Sequence, residues 1–278
     1  MKIGFIGLGN MATAIIGGLL REDTTLNSED GNATVITAAN IIGSAKTEAT
    51  RQKRAEQFGI AVTASNREVA EAADVLVLAV KPQFFPEVIA EIRDAVSENT
   101  LVISIAAGLT LERIAGLFDR NVTAMRLIRC MPNTPALVNA GCTAVVPGPG
   151  ATEADEALCL RLMESFGRAI VIPERLMDAA SATAGSSPAF VFMFIEALAD
   201  GAVAAGMPRA QAYEFAAAAV AGSAQLVLET GRHPGDLKDM VCSPAGTTIE
   251  GVRALEEGAF RASVMNAISA CVEKAKAL

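Results

Sequence analysis

The stretch KIGFIGLGNMATAIIGG, residues 2–18, decides the fold of this chain. An apolar run of strand type leads into two closely spaced glycines, Gly7 and Gly9, and a run with helical spacing follows. In a dinucleotide-binding fold the first glycine permits the tight turn, the second lets the backbone approach a pyrophosphate, and Ala12 keeps the helix close to the strand. The alternative is a packed glycine turn without a ligand, but the flanking strand and helix favour a nucleotide site.

The rest of the first half alternates short β-branched runs with amphipathic segments, which is typical of a parallel sheet flanked by helices. After Glu174 the sequence favours alanine-rich helices separated by glycine and proline. We therefore predict an α/β fold, with an N-terminal Rossmann dinucleotide-binding domain over residues 1–172 and an all-α domain over residues 173–278. The predicted strands are KIGFIG, ATVITAA, ADVLVLAV, TLVISIAA, VTAMRLIRCMP, CTAVVPG and RAIVIPE.

The composition argues against several classes of protein. The 278 residues include 23 basic and 31 acidic side chains, which gives a net charge of −8. The chain has no basic tract, so neither nucleic acid nor an anionic membrane is expected as a partner. The apolar segment Phe190 to Met207 is interrupted by Glu196 and Asp200, and we expect it to form a buried helix rather than a membrane span.

The five cysteines are widely spaced and form no C-x-x-C pair. None lies near the single histidine, His233. This pattern predicts reduced thiols in a cytoplasmic protein and no metal site.

The end of the second predicted strand should reveal which dinucleotide binds, because an acidic residue there would bind the ribose of NAD. Simple counting leads to Glu29 or Asp30, but both lie in a polar connection before the strand. The strand ends instead at Asn40, a candidate cofactor contact, with no carboxylate. Cations follow it, which favours NADP over NAD unless they only form the exposed face of a helix. These cations are Lys46, Arg51, Lys53 and Arg54.

Three further strand ends should border the cofactor: LAVKPQ from Leu78, SIAAG from Ser104 and RCMPNTP from Arg129. Lys81 could face either solvent or the cofactor, and Asn133 could either hold its turn or meet a ligand.

The chain offers few acid and base groups for catalysis. His233 lies in the turn sequence GRHPGD, where a histidine is more often a surface residue than a catalyst. Without it, no Ser/His/Asp or Cys/His set can be assembled. Hydride transfer to an already electrophilic carbon fits this scarcity, because the cofactor carries the difficult step.

The stretch CSPAGTTIEG, residues 242–251, combines a bend with the start of a helix. Thr247 and Glu250 have the spacing of a capping box, which predicts Thr247 as the N-cap. The free N–H groups and positive end of such a helix suit a carboxylate, and Gly246 would allow close approach. The alternative is an ordinary capped helix.

Taken together, these motifs resemble the Δ1-pyrroline-5-carboxylate reductase family nearly from end to end. The most specific segment is HPGDLKDMVCSPAGTTIEGVRALE, which is similar to that family's C-terminal signature. The other segments that carry the resemblance are GFIGLGNMATAI, LAVKPQ, SIAAGLTLERI, RCMPNTPALV, GSSPAF and ALADGAVAAGMPR.

The resemblance implies an NAD(P)H-dependent oxidoreductase of proline biosynthesis, which reduces the cyclic imine (S)-1-pyrroline-5-carboxylate to L-proline. It also implies that the helical domain interlocks in a homodimer, with dimers often forming larger homo-oligomers.

The resemblance further assigns functional residues. Thr248 is implied to be catalytic through a hydrogen bond to the ring nitrogen. The implied substrate contacts are Glu174, Ser243, Gly246, Thr247 and Thr248. The implied cofactor contacts are Ile6, Gly7, Leu8, Gly9, Asn10, Met11, Asn66, Ala79, Val80, Lys81, Pro82, Ile105, Ala106 and Ala107.

Several positions depart from the family pattern, and the segment from Arg21 to Thr34 is longer than expected. Two other functions stay open. One is a reductase of another cyclic imine or a β-hydroxyacid, for which Lys238 would be the candidate proton donor. The other is a non-catalytic NADP-binding regulator. The departing residues are Ala184, Ser187, Phe190, Met240 and Cys242.

Overall fold

The computed structural model describes residues 1–21, 25–27 and 33–276. Glu29 and Asp30 therefore lie outside the described residues. The chain divides into two compact units, one formed by residues 1–185 with the C-terminal residues from Lys274, the other by Ser186–Glu273. The domain boundary at residue 172 stays a prediction.

The first unit is built on an eight-stranded sheet in the order β10-β9-β8-β7-β6-β1-β4-β5. Its neighbouring strands are parallel except for the antiparallel pair β8 and β9. Chain order reverses at β1, which pairs with both β4 and β6. The strands are β1 Ile3–Ile6, β4 Ile41–Ser44, β5 Ala61–Thr63, β6 Val75–Leu78, β7 Leu101–Ser104, β8 Leu127–Met131, β9 Gly141–Pro147 and β10 Gly167–Val171, and a separate hairpin pairs β2 Thr25–Asn27 with β3 Ala33–Val35.

Helices cover both faces of this sheet, so β1 is buried along its whole length. Phe5 packs into the core on one face, with Ile15 and Met163. Ile6 packs into the core on the other face, with Ile89. The helices of this unit are α1 Asn10–Leu19, α2 Glu48–Phe58, α3 Asn66–Ala72, α4 Phe85–Ile92, α5 Leu111–Leu117, α6 Glu153–Glu164 and α7 Met177–Ala180.

The predicted second strand is wrong. The segment ATVITAA contributes only β3, which pairs with β2 outside the main sheet, and the strand beside β1 is Ile41–Ser44. A side chain at Gly43 would meet Leu8, because an added Cβ would lie 2.6 Å from its Cδ2 atom. Packing thus places a glycine in this strand and weakens its sequence signal. The other predicted strands are confirmed. The structure also contains a strand, β5, and a helix, α3, that were not predicted.

The second unit is helical, and the described residues after Glu174 include no strand, as predicted. Helices α8 and α9 pack through the small residues Ala199, Ala212 and Ala216. Large apolar side chains remain outside this core, including Phe192, Met193 and Phe215. The helices are α8 Ser187–Ala204, α9 Arg209–Thr230, α10 Pro234–Val241, α11 Thr247–Glu257 and α12 Phe260–Lys276.

The stretch Glu174–Ala204 is helical throughout and contains a π-helical segment, Ser181–Ser186. It is the one helix of the described residues that is long and apolar enough to cross a membrane, with a mean hydropathy of 1.5. Only 6% of its most apolar window is buried within the chain. The expected burial of this helix is therefore not achieved by a single copy of the chain.

A part-buried ion pair joins Arg126, directly before β8, to Asp155 on α6. The Arg126 guanidinium donates to both carboxylate oxygens of Asp155, at 2.5 to 3.2 Å. Asp155 also closes a capping box with Thr152. Burial would raise the pKa of the Asp155 carboxyl, but the hydrogen bonds from Arg126 and Thr152 outweigh it and lower the pKa below its usual value.

We expect Asp155→Asn to lower the free energy of unfolding at pH 7 by about 2–3 kcal/mol, because a charged hydrogen-bonded partner is lost. A depressed native pKa stabilises the fold above the unfolded pKa, near 3.9, and this stabilisation is lost as the pH falls through the native value. Urea unfolding should show the gap between wild type and variant closing below about pH 4. The control Glu153→Gln, on the exposed side of the same turn, should show no gap; a gap unchanged down to pH 2 would contradict the assignment.

Candidate functional site

A cleft of about 480 Å³ opens at the carboxyl ends of β1, β4 and β6. This is the point where the strand order reverses, and open α/β sheets bind ligands there. Predicted cofactor contacts from three separate segments line the cleft, namely Gly7, Asn66, Ala79, Val80 and Lys81.

The two glycines of the first loop differ in what surrounds them. Gly7 has a φ of +95°, and an added Cβ would lie 2.8 Å from the carbonyl oxygen of Ala79. Both the turn and the packing therefore require glycine at this position. Gly9 has an ordinary extended backbone, and an added Cβ would meet no protein atom within 4 Å. The fold does not explain Gly9, whereas a ligand lying against the backbone would.

Helix α1 begins at this loop without a side-chain cap. The Thr13 N–H and hydroxyl both donate to the Gly9 carbonyl, at 2.9 and 2.8 Å, and hold the loop in place. The N–H groups of the first turn have no partner within the helix, and the positive end of the helix dipole lies with them. The loop and helix start therefore fit the pyrophosphate of a dinucleotide.

The end of β4 adds polar groups to the cleft. The Ser44 hydroxyl donates to Asn66 Oδ1 at 2.7 Å, and Asn66 Nδ2 donates to Glu91 at 2.7 Å. Arg51 donates to the carbonyls of Ala45 and Lys46, at 2.7 and 3.2 Å. The Lys46 side chain also lines the cleft and has no hydrogen-bond or ion-pair partner in the part of the chain that the structure describes. It is the cation best placed to meet a cofactor phosphate.

Asn40 does not fit the predicted cofactor contact. It precedes β4 and lies at the amino end of that strand, whereas the cleft lies at the carboxyl end. Its side chain donates to the Met1 carbonyl at 3.1 Å and accepts from Thr37 at 2.9 and 3.0 Å. The misplaced second strand explains this error.

The remaining predicted cofactor residues lie around the same sheet edge. Ile6 and Leu8 are buried, so only their backbone could touch a ligand. Ile105 follows β7, and its N–H donates to the Leu78 carbonyl at 3.2 Å. The other predicted contacts lie at the start of α1, at the start of the short turn after β6, or directly after Ile105. These are Asn10, Met11, Pro82, Ala106 and Ala107.

Asn133 holds its turn, which was one of the two alternatives. Its Oδ1 accepts from the Cys142 N–H at 2.8 Å, and its Nδ2 donates to the Ala184 carbonyl at 2.9 Å. His233 is exposed and caps α10, since its Nδ1 accepts from the Gly235 N–H at 3.0 Å. Both side chains thus have structural partners, and the described residues contain no cluster of three or more potential metal ligands.

Glu174 is engaged within the first unit. Its Oε1 accepts from the backbone N–H of Leu111 at 2.9 Å and from Arg129 at 3.0 Å. Arg129 is almost fully buried, so this ion pair anchors the start of the long helix. The substrate contact implied for Glu174 stays a prediction, and the structure gives its carboxylate an anchoring role.

In the CSPAGTTIEG segment the helix begins one residue earlier than predicted, and the predicted capping box does not form. Gly246 is the N-cap, with no side-chain cap, and Thr247 and Thr248 are the first two helical residues. Glu250 instead pairs with Arg253 at 2.8 Å. The hydroxyls of Thr247 and Thr248 have no hydrogen-bond partner among the described residues, so an uncapped helix end presents two free hydroxyl groups.

The bend before α11 is tightly built. The Gly246 N–H donates to the Ser243 carbonyl at 3.0 Å, and an added Cβ on Gly246 would lie 2.3 Å from Ser243 Oγ. Ala245 adopts a left-handed conformation with a φ of 55°. A left-handed alanine costs roughly 1–2 kcal/mol, and such strain collects at functional sites.

The sheet topology, the glycine loop and the uncapped α1 define the class of this protein as a dinucleotide-binding protein. Residues 2–108 match the family model described as NADP oxidoreductase, coenzyme F420-dependent, and residues 174–278 match the model for pyrroline-5-carboxylate reductase dimerisation. The pyrroline-5-carboxylate reductase of Escherichia coli is 50% identical over 100% of this chain and 98% of its own length. The chain belongs to the pyrroline-5-carboxylate reductase family.

Solved structures agree with this assignment. A pyrroline-5-carboxylate reductase from Coxiella burnetii has a TM-score of 0.88 and 34% identity, covering 99% of this chain and 97% of that one. The Plasmodium falciparum pyrroline carboxylate reductase, solved with NADP bound, has a TM-score of 0.81 and 29% identity, covering 100% and 97%.

We expect Gly9→Val to weaken NADPH binding by at least about tenfold, because its side chain would fill the space next to the uncapped helix start. The free energy of unfolding without cofactor should change by less than about 0.5 kcal/mol, since the substituted position is open and its φ is negative. Calorimetric titration and urea unfolding measure the two quantities. Gly7→Ala is the matched contrast and should destabilise the fold itself; equal NADPH affinity in Gly9→Val would contradict a cofactor role for this loop.

Proposed function

We propose that this protein reduces (S)-1-pyrroline-5-carboxylate to L-proline with NADPH, the last step of proline biosynthesis. The observation that carries the proposal is full-length membership of the reductase family, with the glycine loop and the α11 start both intact. The relative solved with NADP bound supports the choice of cofactor. NAD is the second candidate.

The chemistry requires little from the side chains. Bound NADPH supplies the hydride, which adds to C5 of the C=N bond. A protonated imine already accepts hydride well, so holding it in the right orientation supplies most of the acceleration. This agrees with a site that has two free threonine hydroxyls and no catalytic histidine.

In this proposal the substrate binds at the start of α11. Backbone N–H groups of the first turn, with the positive end of the helix dipole, hold the carboxylate. The Thr248 hydroxyl binds the ring nitrogen as it becomes an amine, while Thr247, Gly246 and Ser243 shape the bend around the carboxylate. Ala245 fixes that bend in a strained conformation.

Lys46 is the proposed partner of the NADP 2′-phosphate. Its free ammonium lines the cleft directly after β4, where dinucleotide folds bind the adenosine ribose. Arg51 and Arg54 are engaged with backbone carbonyls instead: Arg51 donates to Ala45 in the loop after β4, and Arg54 donates to Leu8 in the glycine loop at 3.3 Å.

The helical region is proposed to form a homodimer, with higher homo-oligomers built from it. The dimerisation family model covers residues 174–278, and only 6% of the most apolar window of Glu174–Ala204 is buried in one copy. Interfaces bury large apolar side chains, and Phe192, Met193 and Phe215 are available for this.

We place the enzyme in the cytoplasm, without a membrane or nucleic-acid partner. Its proposed domains are residues 1–172 and 173–278.

One assay tests the proposed reaction against its rivals. NADPH oxidation is followed with pyrroline-5-carboxylate, then with other cyclic imines and with β-keto acids. Turnover only with another substrate would overturn the assignment, and cofactor binding without any turnover would favour a regulator. Lys238, the proton donor that a β-hydroxyacid enzyme would need, is paired with Asp239, whose hydrogen bond and charge raise the pKa of the Lys238 ammonium and make it a weaker acid.

We expect Thr248→Ala to lower kcat/KM for pyrroline-5-carboxylate by a factor corresponding to about 1–3 kcal/mol, because the hydrogen bond to the ring nitrogen is lost. Thr248→Ser should retain most of the activity. NADPH affinity and the urea midpoint should not change, since the hydroxyl has no partner within the described residues. Unchanged kcat/KM in Thr248→Ala would show that this residue has no catalytic role.

We expect Lys46→Gln to raise the KM for NADPH about fivefold to tenfold and to leave the KM for NADH unchanged, because only NADPH carries the 2′-phosphate. The control Lys53→Gln removes an exposed charge from α2 and should affect neither cofactor. A parallel rise in both KM values for Lys46→Gln would rule out specific recognition of the phosphate.

A further inference from the structure

The cofactor cleft continues beyond Asn66 and Lys46 to an aromatic side chain that the fold does not need. Phe84 lines the cleft on the short turn Pro82–Phe84, and 46% of the residue is exposed. Beside it the cleft wall is apolar, formed by Val80 and Val88. An exposed phenyl ring within a cleft offers a flat apolar surface to a ligand.

Two carboxylates border the same part of the cleft. Glu87 and Glu91 lie one turn apart on α4, where like charges repel each other. Glu91 accepts a hydrogen bond from Asn66. Glu87 is exposed and has no hydrogen-bond or ion-pair partner among the described residues. A free hydrogen-bond acceptor therefore lies on the same cleft wall as Phe84.

The ligand that this surface fits is a base whose edge donates hydrogen bonds. The two carboxylates Glu87 and Glu91 disfavour a phosphate on this wall; the cations that line the cleft are Lys46, after β4, and Lys81, just before the Pro82–Phe84 turn. If the ribose binds at the end of β4, the group beyond it is the adenine of the dinucleotide. Adenine has apolar faces, and its exocyclic 6-amino group is a donor.

We propose that Phe84 and Glu87 select the base of the cofactor: the adenine ring packs on Phe84, and its 6-amino group donates to the Glu87 carboxylate. The inference rests on the proposed use of NADPH and adds a base preference to it. Hypoxanthine carries a carbonyl oxygen in place of the amine, and that oxygen would face the carboxylate. The protein should therefore discriminate against deamino-NADPH, in which hypoxanthine replaces adenine.

Calorimetric titration of the full-length protein with NADPH and with deamino-NADPH tests the proposal without relying on turnover. Wild type should bind deamino-NADPH about tenfold more weakly, since an acceptor would face an acceptor. Glu87→Gln should bring the two affinities together, because an amide can donate to the carbonyl. The control Glu98→Gln removes an exposed negative charge outside the cleft and should retain the tenfold ratio.

The aromatic contact is tested with a second set of variants. Phe84→Ala should weaken both cofactors about tenfold, as expected for loss of a base-stacking side chain, while Phe84→Tyr should bind them as wild type does. Gln83→Ala, in the same turn but outside the cleft, is the control.

The outcomes separate this inference from the proposed function. Equal wild-type affinity for the two cofactors, or a ratio unchanged in Glu87→Gln, would overturn the inference while NADPH use stands. Failure of the wild type to bind NADPH would overturn both. Glu87 is exposed, so Glu87→Gln should fold normally. The test therefore remains decisive even if Phe84→Ala alters folding.

Discussion

The close approach of the loop after β1 to the end of β6 is the constraint on which the rest of the structure depends. Gly7 lies against Ala79 with no room for a side chain, and its backbone conformation favours glycine as well. This contact brings the ends of two neighbouring strands together where the strand order reverses. The cleft, the start of α1 and the polar groups after β4 all take their positions from it. A side chain at Gly7 would therefore disturb the architecture, whereas one at Gly9 meets only the space that a ligand needs.

Much of the first unit could be predicted because β1, β6 and β7 are buried along their whole length and read as unbroken apolar runs. The second strand was missed for a physical reason: Gly43 must accommodate Leu8, so β4 carries a weak strand signal, and the β-branched segment just before it forms part of a hairpin outside the sheet. The cofactor role given to Asn40 depended on that error. Lys46, named only as one of several cations, lies in the cleft itself.

The helical unit was harder to read from sequence. Two adjacent threonines left the first helical residue uncertain by one position. In the structure Gly246 is the N-cap. The expected burial of the apolar helix is not reached within the described chain, where only 6% of its most apolar window is buried. Family resemblance supplied roles for Thr247 and Thr248 that residue patterns alone could not. It also implied a ligand role for Glu174, whose carboxylate is held by Arg129 and Leu111.

In the proposed binding mode, the missing cap of α11 would link substrate binding to the order of the helix itself. A side-chain cap is worth about 1 kcal/mol relative to alanine but only a few tenths relative to glycine, and α11 begins at Gly246 without such a cap. A carboxylate seated on the first turn would act as a temporary cap, bonding to the same N–H groups. In that binding mode the helix end is less stable without substrate than with it, so part of the helix's stability would arrive with the substrate and leave with the product.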